Sequence, residues 1–173
     1  MTSTTIKLTQ FEKDITGKVK LSKVIRAKKV LLCDEWMRDK ICKKPQIRQI
    51  VFVIDPEGFQ RLMRNKEDFI QELKESGIIL HLQNPGPEKR GPSLIFAIVH
   101  QSQETQEPLQ TLKIRSLKND SVKDDSKMAP WTIEAVYFDL EIEEIIDPRD
   151  FRSTFKDKYL TPAQSDLSLI FEG

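Results

Sequence analysis

The chain has 173 residues, 38% hydrophobic and 32% charged, the balance of a globular protein with a core of its own rather than a disordered chain. No apolar run approaches the roughly 18 residues that a bilayer span needs, and residues 1–6 lack a signal-peptide apolar stretch, so an intracellular place (cytoplasmic or nuclear) is expected. The net charge of +1 conceals a split: residues 1–50 hold 13 Lys and Arg against 5 Asp and Glu, and residues 51–173 hold 15 against 22.

Residues 1–17 are polar and Thr-rich, with Gly17 as a break, and read as a flexible N-terminal arm. Residues 18–173 read as one domain. Over residues 18–32, Leu21, Val24, Ile25 and Leu32, continued by Trp36, fit a helical face, and Val19, Leu21 and Lys23 also alternate as in a strand; helix is the preferred reading. A helix is expected over 34–41, with Pro45 marking its stop. Residues 47–54 are a short β-branched apolar run of strand length.

Asp55 then offers a carboxylate cap, Pro56 suits the first helical position, and Glu57 adds charge that the helix dipole favours. Two acids and a single glycine at this start argue for a capped helix rather than a phosphate cradle. Phe59, Leu62, Met63, Phe69, Ile70 and Leu73 recur at three- and four-residue steps, so one helix runs to Ser76, where Gly77 stops it in left-handed backbone. Residues 78–83 resume as a strand.

Residues 84–92 carry three prolines and two glycines and form a loop with Lys89 and Arg90 at its tip. Residues 93–100, the most apolar run, read as a central strand. Residues 109–117 alternate, which predicts a half-buried strand with Lys113 and Arg115 on a basic outer face. Residues 118–130 are charged and rich in turn formers and read as a flexible loop; Asp120, Asp124 and Asp125 do not fit calcium-loop spacing. Residues 131–142 are the longest predicted strand. Asp147 and Pro148 repeat the capped start and predict a short helix burying Phe151 and Phe155, and residues 167–171 read as a last strand or an apolar tail. Four strands after one helix favour an α+β fold: a mixed or mostly antiparallel sheet of five to six strands carrying two to three helices.

Catalytic patterns are missing from the sequence. It has no nucleophile elbow, phosphate-binding glycine loop or zinc-protease pair, and its two histidines, His81 and His100, each sit inside an apolar strand. Cys33, Cys42, His81 and His100 match no zinc spacing, and two cysteines suit a reducing compartment without a disulfide. No catalytic residue, metal ligand or cofactor is assigned, and the chain reads as non-enzymatic. An enzyme of unfamiliar type would need a pocket holding His81 or His100 beside a carboxylate.

The charge split is then the main functional signal. Lys18, Lys20, Lys23, Arg26, Lys28, Lys29, Lys43, Lys44 and Arg48, with Trp36 as the one interleaved aromatic, make residues 18–48 a candidate partner surface. Glu134, Asp139, Glu141, Glu143 and Glu144 make a candidate acidic face that also discourages edge-to-edge strand pairing. The first reading is a structural or interaction protein that assembles with itself or a protein partner through these two faces. The alternative is a polyanion binder, taking nucleic acid or an anionic membrane surface with strong salt dependence. A third is intramolecular, the basic half resting on the acidic half. A basic N-terminal segment on a compact α+β body resembles the layout of small viral matrix proteins, although no Pro-Pro-x-Tyr or Pro-Thr-Ala-Pro motif accompanies it.

Overall fold

The computed structural model describes residues 6–44, 46–84, 91–99, 109–129 and 132–150. Over these the chain is α+β, as expected, with one seven-stranded mixed sheet and five helices, more of each than the sequence predicts. The helices are α1 (Gln10–Lys20), α2 (Asp34–Ile41), α3 (Pro56–Arg64), α4 (Lys66–Lys74) and α5 (Val122–Ser126). The strands are β1 (Val30–Leu32), β2 (Gln49–Ile54), β3 (Ile79–Gln83), β4 (Ser93–Val99), β5 (Thr111–Ser116), β6 (Tyr137–Asp139) and β7 (Glu144–Ile146), lying in the order β3-β4-β5-β2-β1-β6-β7. Among the described residues, only β2 and β5 pair in parallel.

The supposed arm is largely a helix. Thr9 Oγ1 accepts the Glu12 amide at 3.1 Å while Glu12 Oε1 accepts the Thr9 amide at 2.8 Å, a capping box that starts α1. Glu12 is buried, and its carboxylate also takes the Trp36 indole N–H at 2.7 Å and Lys40 Nζ at 2.7 Å, which ties α1 to α2. The helix ends at Lys20 instead of continuing, because Ser22 turns the chain: its hydroxyl oxygen accepts the Val24 and Ile25 amides. A turn and the short β1 come next, where a helix was expected.

Asp55 caps α3 as predicted, accepting the Gly58 amide at 3.1 Å. The stripe of the next helix lacks an apolar residue at Lys66, and there the helix breaks. Asn65 leaves helical backbone (φ −129°, ψ 40°) and turns its side-chain amide to the Arg61 carbonyl at 2.9 Å. Phe59 and Leu62 of α3 and Phe69 and Leu73 of α4 are all buried, and Phe69 meets Phe96 of β4 at 5.6 Å between ring centres. Gly77 takes φ +86°, the left-handed stop the sequence predicts.

The largest departures concern β5 and the segment after it. Arg115 is fully buried and Lys113 is 7% exposed, so the strand has no basic outer face at these positions. The pairing register puts Arg115 beside Val53 of β2, and with them Leu31 of β1 and Tyr137 of β6, on one face of the sheet. Arg115 Nε and Nη2 donate to Asp34 at 2.7 and 3.0 Å, and its Nη1 and Nη2 donate to Asp125 at 2.6 and 2.7 Å. Asp125 also accepts from Tyr137 Oη at 2.5 Å and from the Lys118 amide at 3.1 Å. The segment expected to be a flexible loop is thereby folded over residues 118–126 into a 3-10 turn and α5, capped by Ser121. The long predicted strand at 131–142 is instead a 3-10 turn at Thr132–Ala135 and the three-residue β6. The expected helix with Phe151 and Phe155, the segment 167–171, His100, and the Lys89–Arg90 tip lie outside the described residues.

Burial favours losing the Arg115 charge, but Cys33, Asp34 and Asp125 more than offset it, so its pKa is raised. Burial likewise pushes Asp125 up, and the hydrogen bonds and charge of Arg115 outweigh that, holding it below the usual carboxylate range. A folded pKa below the unfolded one means that the Asp125 carboxylate contributes stability fully above about pH 4, lost as pH falls through the lowered value. Asp125→Asn is expected to lower the urea midpoint at pH 7 by the equivalent of about 3–5 kcal/mol, because it leaves a buried guanidinium partly unpaired. It should also flatten the acid side of the stability profile below about pH 4. Urea titrations at several pH values check both effects, and a loss below about 1 kcal/mol would show that α5 does not depend on this carboxylate.

Candidate nucleic-acid interface

The turn between α1 and β1 is fastened to the body by its backbone, which leaves its basic side chains outward. Glu72 of α4 accepts the Ser22 hydroxyl at 2.5 Å and the Lys23 amide at 2.8 Å. Arg61 of α3 donates to the Ile25 and Arg26 carbonyls at 2.7 and 2.9 Å. Asp55 Oδ1 accepts the Lys28 and Lys29 amides at 2.7 and 3.2 Å, in addition to capping α3 with its other oxygen. The turn sits so close that a Cβ on Gly58 would lie 3.3 Å from the Ala27 backbone and from Ile25.

Lys18, Lys20, Lys23, Arg26, Lys28 and Lys29 are all exposed along this pinned segment. Lys20 Nζ reaches the Leu140 carbonyl at 3.3 Å, Lys28 pairs loosely with Glu57 at 3.8 Å, and Lys29 pairs with Asp120 at 3.1 Å. These are solvent-exposed pairs of small energetic value, which a phosphate could displace. Among the described residues, Lys18, Lys23 and Arg26 form no ion pair.

The rest of the predicted basic surface is elsewhere. Lys43, Lys44 and Arg48 are exposed in the turn between α2 and β2. The Lys28–Lys29 end of β1 lies by Ile54, whereas the α2–β2 turn leads into Gln49 at the opposite end of β2. Six residues at about 3.3 Å each set the two groups roughly 20 Å apart along the strand. Trp36 leaves the site altogether: it is fully buried, donates to Glu12, and lies under Lys40 Nζ at 5.3 Å from the ring centre.

The acidic face also divides. Glu134 is buried and takes Arg38 Nη1 at 2.8 Å. Its pKa is raised, by burial first and then by Glu35, and Arg38 offsets this only in part. Asp139 turns inward to accept the Glu141 and Ile142 amides at 2.9 and 3.4 Å, which shapes the tight β6–β7 turn. Glu141, Glu143 and Glu144 remain exposed. Glu143 does meet the basic half, lining a groove of about 560 Å³ with Lys7, Lys13 and Lys20. Sequence reasoning misses Lys7 and Lys13 because it treats their segment as an arm; the Thr9–Glu12 capping pattern is the signal that places them.

Cys33 is buried and Cys42 exposed, and no disulfide joins them. His81 stands exposed on β3. Among the described residues no three His, Cys, Asp or Glu lie together as metal ligands, and no helix is long and apolar enough to cross a membrane.

No protein-family model matches this sequence, and no curated protein matches it. Solved structures do resemble the fold. A tRNA-processing enzyme in an apo form aligns over 89% of this chain with a TM-score of 0.60 at 20% identity. A complex of a tRNA-processing enzyme aligns over 82% with a TM-score of 0.51 at 19% identity. The chain spans about a third of these neighbours' length, 37% and 34%. The expected non-enzymatic structural or assembly role is corrected on this point: the two solved structures above, which share this fold, are tRNA-processing enzymes.

If Trp36 is core rather than a base-stacking platform, Trp36→Ala should cost about 3–5 kcal/mol of stability. Lys43→Gln with Lys44→Gln should change stability by no more than about 0.5 kcal/mol. Thermal melts of the two variants side by side check the assignment, and equal melting temperatures would return Trp36 to the surface.

Proposed function

We propose that this chain acts on RNA, as a module of the tRNA-processing type, and grips the phosphate backbone through α1 and the turn after it. The observation that carries the reading is the pinned turn: a row of exposed cations whose backbone is already ordered, on a fold shared with a tRNA-processing enzyme over 89% of the chain. Ordering done in advance lowers the entropic cost of binding, and each lysine that neutralises a phosphate releases counterions. Neither term requires the chain as a whole to be strongly basic. The working place for such a module is wherever tRNA is processed, inside the cell.

Fluorescence anisotropy with a labelled tRNA transcript across a salt series tests the proposal. The wild-type chain should bind with an affinity that falls steeply as salt rises. Replacing Lys18, Lys23 and Lys28 together by Gln should weaken binding at least tenfold and reduce the log–log salt slope by about 2–3. The Lys43→Gln, Lys44→Gln pair should weaken it less, since it lies at the other end of β2. Absence of binding at low salt would sink the RNA reading.

A further inference from the structure

Two grooves run along α1, sharing Lys13 and Gly17, and they differ in charge. The one toward α4 balances Lys13, Lys18 and Lys23 against Asp14, Glu72 and Glu75, and Glu72 is already engaged by the Ser22 hydroxyl and the Lys23 amide. The one toward the β6–β7 turn sets Lys7, Lys13 and Lys20 against Glu143 alone. Its apolar lining is made by Ile6 and Leu8, which are partly buried, with Phe138 and Leu140, which are buried, beside them. Lys7 is held in place because its carbonyl accepts Lys40 Nζ at 2.9 Å. Gly17 borders the opening, and a Cβ there would meet nothing within 4 Å.

Resting on the RNA reading above, we propose that this second groove holds a single unpaired nucleotide of the RNA. Its phosphate lies against Lys7, Lys13 and Lys20, and its base and sugar cover the apolar lining of Ile6, Leu8, Phe138 and Leu140. The volume, about 560 Å³, is that of a small-ligand pocket. A duplex fits this arrangement poorly, since it presents phosphates on a convex surface and keeps its base faces stacked inside, leaving the apolar lining bare. An unpaired nucleotide offers both the charge and the flat apolar surface. Glu143, in left-handed backbone at φ 54°, stands on the turn side and repels a phosphate there, which directs it toward α1.

The test uses a fluorescein-labelled single-stranded RNA pentamer and the same pentamer with an abasic central position, by anisotropy at low salt beside the tRNA transcript. The Lys7→Gln, Lys13→Gln double variant is expected to lose tenfold or more for the intact pentamer. Gly17→Phe should do the same by filling the opening, with a melting temperature equal to or above that of the parent. Glu143→Gln should tighten binding two- to fivefold, a gain that misfolding cannot mimic. The abasic pentamer should bind severalfold more weakly than the intact one. Wild-type affinity in the double, Gly17 and Glu143 variants would overturn the groove while leaving tRNA binding standing. Equal binding of the abasic and intact pentamers would reduce the site to a phosphate contact and overturn the nucleotide assignment. If the wild-type chain binds neither transcript nor pentamer, the RNA reading fails and this inference fails with it.

Discussion

A guanidinium with no access to water has to be surrounded by acceptors, and Arg115 dictates the arrangement of everything near it. Its planar fork is matched by two carboxylates, one from each side of the sequence, Asp34 before β2 and Asp125 after β5. Asp34 adopts left-handed backbone at φ 55° at the start of α2. That conformation costs on the order of 1 kcal/mol in an L-residue, a cost its two bonds to Arg115 offset. Asp125 carries the constraint onward by receiving Tyr137 from β6 and the Lys118 amide. Removing the central cation would therefore loosen α2, α5 and β6 together. The parallel pair β2 and β5 is held from above by the same side chain that lies in its register.

The same economy explains the surface. Several acids of the chain are spent on backbone amides or buried partners: Glu12 on Thr9, Trp36 and Lys40; Asp55 on three amides; Glu72 on Ser22 and Lys23; Asp139 on the β6–β7 turn. An acid held inward in this way organises the chain and contributes little to the outer field. The lysines of the α1–β1 turn do the opposite, since their amides and carbonyls face the body and their ammonium groups face solvent. A near-neutral total is thus compatible with a locally cationic surface.

Much of the fold could be read where local chemistry and burial agree. The run leading into Asp55, Pro56 and Gly77 specifies β2, a capped helix and its stop, and the structure has all three. The departures from the sequence expectation share one cause: neither alternation nor charge by itself means exposure. Arg115 and Lys113 alternate with Leu112 and Ile114 just as solvent-facing residues do, and it takes two carboxylates, Asp34 far upstream and Asp125 ten residues further along, to make Arg115 buriable. Asp125 stands in a stretch with the composition of a loop, and no local pattern announces that a distant guanidinium will order it. The Thr9–Glu12 capping box was legible and was passed over, and with it α1, Lys7 and Lys13. Trp36 was placed on the surface because its neighbours are basic, yet an indole that finds an acceptor such as Glu12 belongs inside.

Counting charges along the sequence therefore asked the wrong question. What a polyanion meets is the set of charges within about one screening length, some 8–10 Å at moderate salt, after subtracting those already engaged. By that measure the basic residues of 18–48 fall into two groups separated by the length of β2, and of the five acidic residues singled out Glu134 is buried while Glu141, Glu143 and Glu144 stay exposed. Glu134 is consumed by Arg38, Asp139 by its own turn, and Glu143 is left beside three lysines as a minority charge. Mutual attraction between copies would need an exposed acidic patch to match the basic one, and of the exposed glutamates by the β6–β7 turn Glu143 faces the chain's own α1 groove. Among the described residues, Lys18, Lys23 and Arg26 stand outward without an ion pair, on the first helix and the turn that the body holds in place.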